Sequence, residues 1–143
     1  MASSITNPSA DNVKTATDVY NAIIAAKADL EKAGKMALTT QLDALGTAQT
    51  VYVVAPVAGV ISNVDAVSSG AGDTATATIT VSDGADAAVG TCAFVAAYVA
   101  GTKVSASSLA NTTVTAGEVL KVVTDGGGGG TGSVTVTITV DTV

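Results

Sequence analysis

Threonine alternates with β-branched or small apolar residues along two stretches: 74–81 reads TATATITV and 133–140 reads SVTVTITV. Successive strand side chains point to opposite faces, so Val134, Val136, Ile138 and Val140 share one face. Thr135, Thr137 and Thr139 share the other. β-branched residues suit a pleated, half-buried surface. Both stretches predict strands, with the aliphatic face turned to a core.

Upstream, from about residue 11 to 37, the period changes. Ala16, Val19, Ile23, Ala26, Leu30, Ala33 and Ala37 recur at spacings of three and four, the heptad stripe of an amphipathic helix. Asn7 or Ser9 can cap its start, and Pro8 or Asp11 suits a first turn. Gly34 weakens its end and offers an earlier stop than Ala37. So short a helix is marginal alone in water. It packs either on its own sheet or against the same helix of identical chains, with Ala16, Val19, Ile23, Ala26, Leu30 and Ala33 as the seam.

Residues 39–50 read as a connector. Further strands are expected at 51–55, 59–67, 74–82, 92–99, 103–105, 112–115, 118–124 and 133–140. Gly, Pro and Asp-Gly turn signals lie between them. The expected architecture is α+β: a helical segment and connector over 1–50, then an antiparallel β-sandwich over 51–143, of jelly-roll or immunoglobulin-like type. Residues 92–99, CAFVAAYV, are apolar on both faces. They form either a strand covered on both sides or one whose outer face, Ala93, Val95, Ala97 and Val99, meets another subunit.

Composition narrows the functions available. Nearly half of the 143 residues are apolar, but aromatics make up 3% and there is no Trp. A core of Ala and Val gains less per position than one of Leu and Phe, so neighbouring chains are expected to supply part of the stability. The net charge is −6, divided as −1 over residues 1–50 and −5 over 51–143. All six basic residues are Lys. Phosphate neutralisation needs clustered positive charge, so nucleic acid is not an expected partner. MASSITNPSADN lacks the basic and apolar regions of a signal peptide. No apolar run is long enough for a bilayer-spanning helix, and no membrane partner is expected.

Reactive constellations are sparse. Without His, no Ser or Thr has a ready general base. Cys92 stands alone, which suits a small buried hydrophobe better than a zinc site. The glycine run at 126–130 lacks the Lys-Ser/Thr and following helix of a phosphate loop, and reads as a flexible, exposed hairpin loop. Asp83 and Asp86, with Asp73 nearby, offer a partial oxygen set for calcium, but Asp83-Gly84 is ordinary turn chemistry. No catalytic, metal or cofactor residue is assigned, and the chain is not read as an enzyme.

Three stretches carry a resemblance: VYVVAPVAGVISNVDAV at 51–67, DTATATITVSDG at 73–84, and TVTAGEVLKVVTDGGGGGTGSVTVTITV at 113–140. Together they resemble capsid decoration (cement) and head-fibre proteins of tailed bacteriophages. The resemblance implies a non-enzymatic structural virion protein. Such a protein would be a homotrimer on the outer surface of the bacteriophage head, at threefold or quasi-threefold positions, with the major capsid protein as partner. The helix lies outside it. The competing expectation is a tail, fibre or surface adhesion module that binds host glycan, marked by exposed aromatics and polar groups at one end of the sandwich.

Overall fold

The computed structural model describes residues 16–72, 75–127 and 129–142, with the backbone alone at 27–33. The chain divides into two units, one ending at Ala33 and the other beginning at Gly34. The first contains α1 (Ala16–Ala33). Its expected caps at Asn7 to Asp11 lie outside the described residues.

The helix stops at Ala33 rather than at Ala37, because Gly34 follows and the next residues have a partner elsewhere. Lys35 to Leu42 form β1, which pairs antiparallel along its length with β9 (Val134–Thr142). Half of the expected connector over 39–50 is therefore strand, at 39–42 and 49–50, with a loop between them, and the strand-bearing unit starts at Gly34, not at residue 51. Met, Ala, Leu and Gln favour helix locally, but the ladder to β9 overrides that preference.

The remaining strands are β2 (Gln49–Val54), β3 (Gly59–Ser68), β4 (Ala77–Ser82), β5 (Ala88–Phe94), β6 (Lys103–Ser105), β7 (Thr113–Val114) and β8 (Val119–Thr124). Each of the eight expected strands overlaps one of these or β9. The first sheet runs β1-β9-β3-β6, with β7 beside the start of β3; the second runs β2-β8-β4-β5. Every pairing is antiparallel. The pairs nest: β4 with β5, β3 with β6, β2 with β8 and β1 with β9. Antiparallel contacts of β9 with β3 and β8 with β4 complete the sheets.

The two sheets share one core. Val134, Val136, Ile138 and Val140 are all buried, as the alternation predicts. They belong to the same cluster as Ile79, Val81, Leu120 and Val122 of the second sheet. Phe94 is the largest fully buried side chain. Cys92 is also buried, and its Sγ lies 3.5 Å from the Val64 carbonyl. Burial, together with the Asp65 charge, pushes this thiol up to about 11, so it packs as a hydrophobe and is protonated at neutral pH.

The threonine face of β9 is the polar outside of the first sheet. Lys35 stands opposite Asp141 and bridges it at 3.1 Å. Lys103 bridges Asp65 at 2.9 Å, and the Ser105 hydroxyl also donates to that carboxylate. Burial raises the Asp65 pKa, but the bonds from Ser105 and Lys103 outweigh it and leave it below the ordinary value.

Candidate interaction surfaces

The expected helical seam is exposed along its described part. Ala16, Val19, Ile23 and Ala26 are all exposed, and Tyr20 and Ile24 beside them are exposed as well. The apolar stripe is thus wider than the heptad reading, because Tyr20 and Ile24 flank Val19 and Ile23 on the same side of the helix. The backbone carries Leu30 and Ala33 on the same helix, but their side chains lie outside the described residues.

Of the expected subunit-facing strand, only Ala93 lies in β5. The strand ends at Phe94, and Val95 to Ala100 form a loop with Ala97 at φ 65°. β5 is an edge strand rather than a central one, and the outward face at Thr91 and Ala93 is exposed in the single chain. Burial alternates only as far as Val95: Cys92, Phe94 and, beyond the break at exposed Ala96, Tyr98 are buried, while Ala93, Val95, Ala97 and Val99 are exposed. Val95 and Val99 are 71% and 64% accessible. Beneath them the Phe94 and Tyr98 rings pack 5.1 Å apart. An apolar tip is thereby held on an aromatic anchor.

Four loops meet at this end of the sheets. Gly46 N, after β1, donates to Gly130 O at 3.2 Å. After β3, Ser69 N donates to Ser133 O at 2.8 Å, and Gly72 N donates to Tyr98 O at 3.1 Å. Thr131 N donates to Ala71 O, also at 3.1 Å. The glycine run was expected to be a flexible, exposed hairpin loop. Gly129 is exposed, but Gly130 is buried, with its Cα facing the Tyr98 hydroxyl and the Leu45 side chain. Glycine is required here by close backbone approach, because Gly70 and Gly132 meet backbone to backbone. Asp125 ties the run to β4: its carboxylate accepts the Thr78 hydroxyl at 2.7 Å, Thr78 N at 3.1 Å and Gly127 N at 2.9 Å. Burial raises the Asp125 pKa, but these donors outweigh it and leave it below the ordinary range. The described loops here are built largely from Gly, Ala, Ser, Thr and Val, with Asp43 and Asp125 as their charges.

The second sheet has an outer face of its own. Thr50, Tyr52 and Val54 project from β2, Val119, Lys121 and Val123 from β8, and Thr78, Thr80 and Thr91 from β4 and β5. Lys121 is the one charge among these positions. Next to it, the 83–87 turn supplies Asp83 and Asp86. The Asp83 carboxylate accepts Ala85 N and Ala87 N, and Asp86 bridges Lys121 at 2.9 Å. That bond raises the Lys121 pKa. Glu118 accepts Thr115 N and Gly84 N, which hold its carboxyl below the usual value. The aspartates considered as calcium ligands are therefore engaged in turn closure and an ion pair; Asp73 lies outside the described residues. Among the described residues, no three His, Cys, Asp or Glu side chains converge as a metal site, and no helix is long and apolar enough to cross a membrane.

Compared with protein-family models, curated proteins and solved structures, the chain matches none of them.

Proposed function

We propose that this chain is a jelly-roll structural protein of a tailed-bacteriophage virion. It decorates and cements the outer surface of the capsid as a homotrimer at threefold or quasi-threefold positions. The observation that carries the reading is the nested pairing of β1 with β9, β2 with β8, β3 with β6 and β4 with β5, rolled into two four-strand orders. That nesting supports a double-sheet jelly roll over an immunoglobulin-like sandwich, and viral capsid domains are among those built as jelly rolls.

The surfaces support the same reading. The Val95–Val99 tip is apolar and firmly anchored, as a protein-contact site requires. It occupies an end of the sheets whose small side chains permit close approach by the backbone of the major capsid protein. The exposed stripe of α1 offers a second apolar face for self-association. Cementing follows from multivalency: each protomer makes modest contacts, and a trimer bridging several capsid subunits holds far more tightly than any single contact.

Mixing the purified protein with particles stripped of it, followed by sedimentation, tests the proposal. Saturable co-sedimentation and a raised particle-disruption temperature are expected. Particles that neither bind the protein nor gain stability rule it out.

A further inference from the structure

The outer face of the second sheet holds a groove that capsid attachment leaves unused. Tyr52, Val119 and Lys121 line it from the sheet, and Asp83, Gly84 and Asp86 from the 83–87 turn. Tyr52 stands directly across from Lys121 on the ladder between β2 and β8. Tyr52 is 65% accessible, so its side chain is open to a ligand.

The polar groups are fixed before any ligand arrives. Asp83 N donates to Ala87 O at 2.9 Å and Asp86 N to Asp83 O at 3.1 Å. Asp83 Oδ1 accepts two further backbone N–H groups, and Gly84 N donates to Glu118 at 3.3 Å. Lys121 Nζ is held by Asp86 Oδ1. A ligand entering the groove therefore orders little of the protein, which lowers the cost of binding.

We propose that this groove binds a neutral pyranose sugar. Such a ring has a C–H face that stacks on an aromatic side chain and a rim of hydroxyls. The Asp83 and Asp86 carboxylates accept from hydroxyls, and the remaining Lys121 N–H groups donate to ring or hydroxyl oxygens. Two carboxylates and one ammonium line the groove, the ammonium paired with Asp86, and Glu118 stays ionised beside them. That balance repels uronates and phosphorylated sugars and selects uncharged ones. The assignment is independent of capsid attachment, so either can fail alone.

Titration of the ¹⁵N-labelled chain with methyl glycosides of glucose, galactose, mannose and N-acetylglucosamine tests it. Saturable shifts at the Gly84, Asp86 and Lys121 amides are expected with at least one sugar, at about millimolar affinity. Tyr52→Ala is expected to weaken binding about tenfold, and Tyr52→Thr, which preserves strand preference, to do the same at an unchanged melting temperature. Methyl glucuronide is expected to bind more weakly. Absence of saturable shifts with every neutral sugar overturns the assignment, as does undiminished binding by both Tyr52 variants. Shifts of these amides with oligolysine alone would assign the groove to a basic protein segment and also overturn it.

Discussion

Gly70→Ala tests the four-loop end most sharply. A methyl group at Gly70 falls inside the van der Waals radius of the Thr131 carbonyl oxygen and 3.0 Å from Gly132 Cα. The obstruction is backbone, so no rotamer change relieves it. Overpacking of this kind costs about 1–3 kcal/mol. Separating the strands of chain also strains the bonds from Ser69 N to Ser133 O and from Thr131 N to Ala71 O, each worth about 1 kcal/mol. The expected loss is about 3 kcal/mol, or a fall of about 10 °C in melting temperature for a domain of this size. Gly84→Ala is the control. Its new methyl meets nothing nearer than Glu118 Cγ at 3.4 Å, so a change within about 0.5 kcal/mol is expected. Thermal and urea unfolding, followed by circular dichroism, measure both. Equal stability of the two variants would refute the contact between the β3–β4 and β8–β9 loops.

Four further outcomes follow from the same structure. The Cys92 thiol, buried and protonated, is expected to ignore a thiol-specific reagent at neutral pH and to react fully in denaturant; rapid native labelling would contradict its packing. Asp125→Asn is expected to cost about 1 kcal/mol at pH 7, discounted for the exposure of the carboxylate. Because the folded Asp125 pKa lies below the ordinary value of 3.8, its contribution is present above that value and fades as pH falls through it. The gap between wild type and variant should therefore narrow as pH falls below the ordinary carboxylate range, and an unchanged gap would show that another group carries the effect. Val95→Asp with Val99→Asp is expected to abolish particle binding and shift the melting temperature by no more than about 3 °C, since both side chains are exposed; retained binding would move the contact elsewhere. Val19→Asp with Ile23→Asp is expected to reduce the mass by light scattering from trimer to monomer, and an unaltered mass would exclude α1 from the assembly.

The strands of the second half were legible because their alternation is unbroken: Ala77, Ile79 and Val81, and Val134 to Val140, are buried as their spacing requires. β1 was not, because KMALTTQL carries helix-forming residues and becomes a strand through β9, a partner about a hundred residues away. The end of β5 was hidden by composition. In CAFVAAYV the turn at Ala97 has no Gly or Pro to announce it, and the apolar composition continues through Val99 after the ladder stops. The glycine run is legible only in part for a related reason: glycine marks both exposed chain and tight backbone contact, and only the Tyr98 and Leu45 neighbours reveal that Gly130 is buried while Gly129 is exposed. The Tyr52 groove has no local sequence signal, since register alone sets Tyr52 across from Lys121 and Lys121 beside the 83–87 turn.

Cryo-electron microscopy of virions tests the central claim most directly. The account predicts jelly-roll density on the outer surface of the head, three copies around each threefold or quasi-threefold position, with the Val95–Val99 end against the capsid. A head surface bare of this density, or the chain found at the tail instead, would contradict it.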